Sequence, residues 1–398
     1  MKIIDVRCCP VQAPQRTLVI IVVETDSGLI GVGEAGLQRR WRAIEGATAH
    51  LRKRLIGQDP MRIEHLWQKM FRGGFYPGDR VIGSAISGID IALWDIKGQV
   101  LGVPVFELLG GRCRDYVEVF SYPGYLQVTG EVDDAEMVNK AFCEGQAAAT
   151  AALAQSFVER GYRYFRLGFP DTRDGDCFEP REGIRLLLAQ LRAVREAVGD
   201  RVELMVDLHA RLTAADAIWF CREAEPLGMF LVEDPIRAEH PSTYETIRQH
   251  VNVPLAAGEQ WPNKWEFATA IENELIDFAR VDICIAGGIS EAKKIAGMAE
   301  AHYIQLLLHN PLGPVCTAAS LHLDLAVNNA GPQEVIHPPT TTLPDVFECA
   351  FERVGSRLTI PQAPGIGVKF NEEAARAHPA EMTEPPHLHR LDGSHVNY

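Results

Sequence analysis

The stretch ELMVDLHAR, residues 203–211, sets a short apolar run against a carboxylate and an imidazole. Leu204, Met205 and Val206 read as a buried strand, and Asp207 stands where that strand runs out. In a strand, residues two apart share a face, so Asp207 and His209 are expected to point the same way. A polar pair at the end of a buried strand is the arrangement found where loops at one end of a β/α fold carry the chemistry.

The same texture recurs on both sides of this stretch. From about residue 117, eight short apolar runs end in polar groups: VEVFSY, YRYFRLGF, VELMVDLH, MFLVEDP, VPLAAGEQ, FARVDICI, IQLLLHN and PQEVI. Helical patterns such as EGIRLLLAQLRAVREAVG and EAKKIAGMAEAH lie between them. Strands alternating with helices of this length predict parallel β/α units, and eight of them predict a TIM-type barrel. The polar strand ends are Asp207, Glu233, Glu259, Asp282, His309 and Glu334, with successive gaps of 26, 26, 23, 27 and 25 residues. Each gap is one β/α unit, so each residue is expected on the next strand around the barrel.

Asp207, Glu233 and Glu259 then occupy three neighbouring strand ends. Singly, each carboxylate would be expected to cap a helix or pair with Arg or Lys. Three in register repel one another unless a cation or protons intervene. An all-oxygen set without cysteine suits a hard ion, most simply Mg2+. Glu233 is followed by Asp234, and only one of the two is expected to face the centre. Asp282 beside His309 can fix a ring tautomer and raise its basicity, which makes a general base. His209 is placed to act as an acid on the reacting molecule. Glu334 either hydrogen-bonds a substrate carboxylate or forms an ion pair with Arg166.

Before residue 115 the pattern is mixed. LVIIVVETDSGLIGVGEAG reads as two strands turning at Asp26-Ser27-Gly28, followed by helices over RAIEGATAHLRKRLIG and VIGSAISGIDIALWDIKGQVLG. The expected organisation is an N-terminal α+β segment over 1–115, a barrel over 116–358 and a C-terminal segment over 359–398. That last segment either packs back on the N-terminal part or is loosely ordered.

The net charge of −14 argues against nucleic acid as a partner, because phosphate binding needs a basic surface. Nine scattered cysteines, an odd number without C-x-x-C spacing, read as reduced thiols of a cytoplasmic protein. The N-terminus lacks a signal peptide's basic start and long apolar core. Its apolar run, Leu18 to Val23, is too short for a membrane span. The expected partner is a small molecule, with no nucleic acid and no membrane, and the chain is expected to form a homo-oligomer.

Taken in order, GIDIALWDIKG, VDLHAR, VEDP, LAAGEQ, VDICIAGGISEAKKIAGMAEAH and HNPLGP resemble the enolase superfamily, in its mandelate racemase branch. Over essentially the whole chain, including the tail HLHRLDGSHVNY, the likeness is to the galactonate dehydratase group of sugar-acid dehydratases. The resemblance implies an α/β fold, a (β/α)7β TIM-type barrel with an α+β capping domain. It implies Mg2+ on Asp207, Glu233 and Glu259. It also implies a Lys or His base that removes the proton next to a carboxylate. Here that base is His309, oriented by Asp282, with His209 protonating the departing 3-hydroxyl. The product is a 2-keto-3-deoxy acid.

Racemase-type members carry K-x-K at the end of the second strand, where this chain has Arg166 and Gly168. Arginine stays protonated and is a poor base, which favours elimination over racemisation or epimerisation. Arg166 is instead expected to offset charge near the substrate carboxylate. The loops GLQRRWRA and GGFYPGDR, with Trp41 and Tyr76, and the insert FPDTRDGDCFEPREG are expected to line the distal pocket. A galactonate-like aldonate is the expected substrate, with a mannonate- or gluconate-type acid as the alternative.

One decoy remains. GVGEAG, Gly31 to Gly36, matches the G-x-G-x-x-G of nicotinamide-dependent dehydrogenases. The turn at Asp26-Ser27-Gly28 places it on the return strand of an antiparallel hairpin. No strand ending in an acid follows about 20 residues later, as the ribose would require.

Overall fold

The computed structural model describes residues 1–14, 16–120, 134–170 and 176–397. The last residues of VEVFSY, positions 171–175 of the insert and Tyr398 lie outside the described residues. The chain divides into two compact units. The first comprises Met1–Glu118, Glu259–Ala268 and Arg280–Glu384; the second comprises Val119–Gly258, Thr269–Ala279 and Pro385–Tyr398.

The first unit opens with an antiparallel sheet, β1 (Ile3–Ala13), β2 (Arg16–Thr25) and β3 (Ile30–Ala35), in that order. The expected turn is present: Gly28 takes φ 81° and its N–H donates to Thr25 O. Only glycine adopts that left-handed backbone without strain. Three helices, α1 (Trp41–Leu55), α2 (Ile63–Arg72) and α3 (Arg80–Leu101), share one core with the sheet. Val19, Ile21 and Val23, alternate residues of β2, meet Ile44 and Leu51 of α1, Leu66 and Trp67 of α2, and Ile86, Ile89 and Leu93 of α3 in that core. Asp79 caps α3 by accepting from Val81 and Ile82 N–H, and Gly102, at φ 71°, ends it.

GVGEAG is the return strand β3, paired from Val19↔Ala35 to Glu24↔Ile30. Its glycines serve packing: a Cβ on Gly31 would strike Ala92 O, and one on Gly33 would strike Gly88 O, both on α3. The backbone of a strand thus lies directly on the backbone of a helix, leaving no phosphate-binding turn. In the same unit α3 grips the segment after Asp282. Ser84 Oγ donates to Cys284 O, Ser87 Oγ accepts from Gly287 N, and Asp90 accepts from Ser290 N and Oγ.

Val117 and Glu118 of a short strand, β4 (Val117–Phe120), pair with Leu358 and Arg357. Residues 359–384 return to the N-terminal sheet. Gln12 N donates to His378 O, and Arg7 forms an ion pair with Glu372 at 2.8 Å.

The second unit contains a run of parallel strands: β5 (Tyr164–Gly168), β6 (Glu203–Asp207), β7 (Met229–Glu233), β8 (Leu255–Ala257) and β9 (Phe278–Ala279). Helices Pro180–Val198, Ala214–Ala224 and Thr243–Arg248 link successive strands. The first shows why: Ile184, Leu187, Leu188, Leu191 and Val194 fall on one buried face, Pro180 starts it and Gly199 ends it. The register aligns Gly168 with Asp207, Asp207 with Glu233, and Glu233 with Ala256.

The tail of this unit is an ordered hairpin. Arg390 N donates to Ser394 O, His389 bridges His395, and Gly393 turns at φ 83°. It lies on the segment after β5, with Phe178 N donating to His389 O and His389 N to Asp176 O. Among the described residues no helix is long and apolar enough to cross a membrane.

Candidate active site

Asp207 and Glu233 end adjacent parallel strands and are almost wholly buried. Arg166 of β5, also buried, places Nη1 3.1 Å from Glu233 Oε2 and 3.5 Å from Asp207 Oδ2. Its guanidinium lies 5.3 Å from the Phe120 ring centroid. Gly168, in register with Asp207, presents no side chain beside it. Glu233 therefore faces Asp207 and Arg166, and the backbone N–H of the following Asp234 donates to Ala256 O.

His209 reaches this group by a different route from the expected one. Strand β6 stops at Asp207, so alternation does not extend to His209. Instead Asp207 Oδ1 accepts the His209 backbone N–H at 2.9 Å, and His209 and Ala210 take φ 46° and 57°. The carboxylate ends the strand by bonding the chain two residues on, as Asp does in turns. The His209 ring comes back beside the same carboxylate, with Nε2 3.2 Å from Asp207 Oδ2. At 42% exposure the ring is open to a reacting molecule.

Glu259 follows β8 by two residues, after Gly258 at φ 134°. In the first unit its Oε2 lies 3.3 Å from His309 Nε2. His309 Nδ1 lies 2.9 Å from Asp282 Oδ2, and Asp282 Oδ1 accepts Cys284 N–H at 2.8 Å. Both carboxylate oxygens of Asp282 are thus committed, and the ring is fixed with Nε2 away from Asp282. Burial pulls the His309 pKa down, but Glu259, Asp282 and Glu334 outweigh it and raise the pKa to about 9. A cation bound at Glu259 would remove part of that pull and return the ring toward neutrality.

Glu334 pairs with Arg280, a residue that no periodic pattern in the sequence marks. Arg280, fully buried, places Nη2 2.6 Å from Glu334 Oε2 and donates through Nη1 to Leu308 O. Asn310 N also donates to Glu334 Oε2. The signal was in FARVDICI, where Arg280 stands two residues before Asp282. Of the expected pocket residues, Trp41 donates through Nε1 to Glu381 O. Tyr76 is exposed and packs its ring edge-on against Phe75.

Asp207, Glu233 and Glu259 stand at or just beyond the ends of consecutive strands β6, β7 and β8. Each offers carboxylate oxygen, the donor type that Mg2+ takes. Within the first unit, Asp282, Cys284 and Cys316 bring ligand atoms within 4.8 Å of one another. There the aspartate is already committed to His309 and Cys284 N–H, and burial pushes both thiol pKa values up, so that group fits a packed core.

Residues 149–374 match the enolase C-terminal domain-like family, and residues 6–110 match the mandelate racemase / muconate lactonizing enzyme N-terminal domain. The chain is 34% identical over 425 residues to a D-mannonate dehydratase from Caulobacter sp. (strain K31), with 100% of both chains covered. It is 36% identical over 380 residues to a D-galactonate dehydratase from Ralstonia pickettii (strain 12J), covering 94% of each. Among solved structures, an enolase from Pantoea ananatis with bound D-gluconate and Mg matches at TM-score 0.90 and 30% identity, over 100% of both chains. The fold is therefore the expected one, a (β/α)7β TIM-type barrel with an α+β capping domain. The chain belongs to the enolase superfamily, in its mandelate racemase / muconate lactonizing enzyme family.

Proposed function

We propose that this protein is a Mg2+-dependent sugar-acid dehydratase, a hydro-lyase acting on an aldonate of the galactonate type. The observation that carries the reading is the Asp282–His309 pair, whose free ring nitrogen faces Glu259 at 3.3 Å. A proton next to a carboxylate is weakly acidic, because its removal adds negative charge to a group already charged. Asp207, Glu233 and Glu259 would hold Mg2+, which would supply positive charge to offset that developing negative charge.

This chain's residues supply the rest. His309 Nε2 takes the C2 proton, and Asp282 stabilises the imidazolium that results. The electron pair released at C2 forms the C2–C3 double bond as the 3-hydroxyl leaves. His209 gives that hydroxyl the proton that makes it water. The enol left behind becomes a 2-keto-3-deoxy acid. Arg166 lies against Asp207 and Glu233, where racemase-type members carry a lysine base. Its engagement there disfavours a two-base racemase. Named relatives that act on D-mannonate and on D-galactonate support the substrate class. We further propose a cytoplasmic homo-oligomer.

A stereochemically complete aldonate panel, assayed with Mg2+ for 2-keto-3-deoxy product, tests the reading. Product from a galactonate-type acid or a near stereoisomer is expected. Absence of product from every aldonate would overturn it.

A further inference from the structure

The motif GVGEAG is not a nucleotide loop, yet it carries a charge that packing alone does not require. Glu34 of β3 is fully buried. Its Oε1 accepts Gly313 N–H and its Oε2 accepts Cys316 N–H, each at 2.9 Å. Those amides open helix Pro314–Ala326, whose own cap residue, Gly313, has no side chain to satisfy them. A carboxylate from 279 residues away takes the place of a local cap. The fit is close, because a Cβ on Gly313 would meet Leu18 Cδ1 at 2.7 Å and Glu34 Oε1 at 2.9 Å.

His309 lies only four residues before Gly313, across Asn310-Pro311-Leu312. Two residues on from Glu34, just past the end of β3, Gly36 N–H donates to Cys284 O at 2.8 Å, and Cys284 N–H holds Asp282 Oδ1. Glu34 and Gly36, at the end of β3 and just past it, therefore anchor the chain on both sides of the hydrogen bond between Asp282 and His309.

Resting on the dehydratase reading, we propose that Glu34 is a positioning residue for proton abstraction: it fixes the 309–316 segment so that His309 stays aligned on Asp282. Glu34 accepts both amides through its two carboxyl oxygens, and these bonds oppose the burial that lifts its carboxyl to about 7, whereas a glutamine offers one acceptor and turns its NH2 group toward the other donor. Small misplacements of a catalytic group are costly in rate even when binding is intact. A carboxylate that only stabilised the core would, when replaced, lower stability without selectively slowing the proton-transfer step.

The test compares Glu34→Gln and Glu34→Asp with the wild type, each with Mg2+ bound. The expected result for Glu34→Gln is a fall of about 10- to 100-fold in kcat and in exchange of the substrate C2 proton. The substrate KM and Mg2+ affinity should stay within about twofold, because on this proposal Glu34 acts through His309. Glu34→Asp retains the charge and should recover part of the loss. It also serves if the glutamine variant fails to fold. A second arm needs no turnover: in 15N-histidine-labelled protein, the His309 Nδ1–H resonance should shift or broaden in Glu34→Gln. That arm still tests the placement of His309 if no aldonate is dehydrated, so the two readings fail separately. An unchanged His309 resonance, or a loss confined to KM or Mg2+ affinity, would overturn the proposal.

Discussion

His309 Nδ1 lies 2.9 Å from Asp282 Oδ2, while the other oxygen of Asp282 accepts the backbone N–H of Cys284. The carboxylate is held from behind and holds the ring in front, so its charge and its geometry both act on Nε2. Replacing Asp282 by Asn keeps the shape but removes the charge and permits the wrong ring tautomer. We expect kcat to fall by about 100- to 10,000-fold with little change in KM, as read by product formation and by deuterium uptake at C2. Equal losses in kcat and substrate affinity would assign Asp282 to binding.

Arg166 places a buried positive charge beside Asp207 and Glu233. Removing one partner of a buried charge group leaves the others uncompensated, at a cost of about 3–5 kcal/mol. Arg166→Met should therefore melt well below the wild type in chelator and recover much of the difference in millimolar Mg2+. Thermal denaturation with and without the ion checks this. An equal gap in both conditions would mean that Arg166 and the ion do not serve the same carboxylates.

The contact between β3 and α3 makes a paired stability prediction. Gly33 lies against Gly88 O, so Gly33→Ala should force the backbones apart and cost roughly 1–3 kcal/mol. Gly46, exposed on α1 with nothing near its added Cβ, should behave oppositely. Gly46→Ala should stabilise by about 0.5–1 kcal/mol through helix propensity. Urea denaturation of both variants distinguishes crowding from a general intolerance of glycine replacement.

Asp90 gives a prediction with a sign. Burial lifts its carboxyl to about 7 from an ordinary 3.8, although the Ser290 hydrogen bonds act the other way. The folded chain thus holds a proton that the unfolded chain releases between these values. That contribution is fully present below pH 3.8 and is lost as pH rises through about 7. Asp90→Asn cannot titrate, so its stability relative to the wild type should improve by a few kcal/mol between pH 4.5 and 7.5. Urea unfolding at stepped pH measures the difference, and parallel curves for the two proteins would contradict it.

Local pattern carried much of this architecture into the sequence. An apolar run ending in one acid located the ends of β6 and β7, because burial and a parallel register leave little freedom there. The turn at Asp26-Ser27-Gly28 likewise foretold the antiparallel return of GVGEAG. What stayed hidden depends on pairing between distant residues. Glu34 meets Gly313 and Cys316, and Arg280 meets Glu334, without any periodic trace in the chain. His209 keeps the expected neighbour but not the alternating backbone, because the strand ends at Asp207, whose side chain bonds the chain two residues on. The tail offered only polar composition, which does not announce that residues 388 and 396 will pair across a hairpin.

On the proposed mechanism, His309 removes the proton beside a carboxylate held on a divalent ion. The most direct measurement is deuterium incorporation at C2 of the recovered, unreacted aldonate in D2O, read beside product formation, for wild type and His309→Asn, with Mg2+ and after exhaustive chelation. Exchange and product are expected only for the wild type with Mg2+, and neither for the variant or the stripped protein. Turnover at the wild-type rate in His309→Asn, or undiminished after chelation, would contradict it.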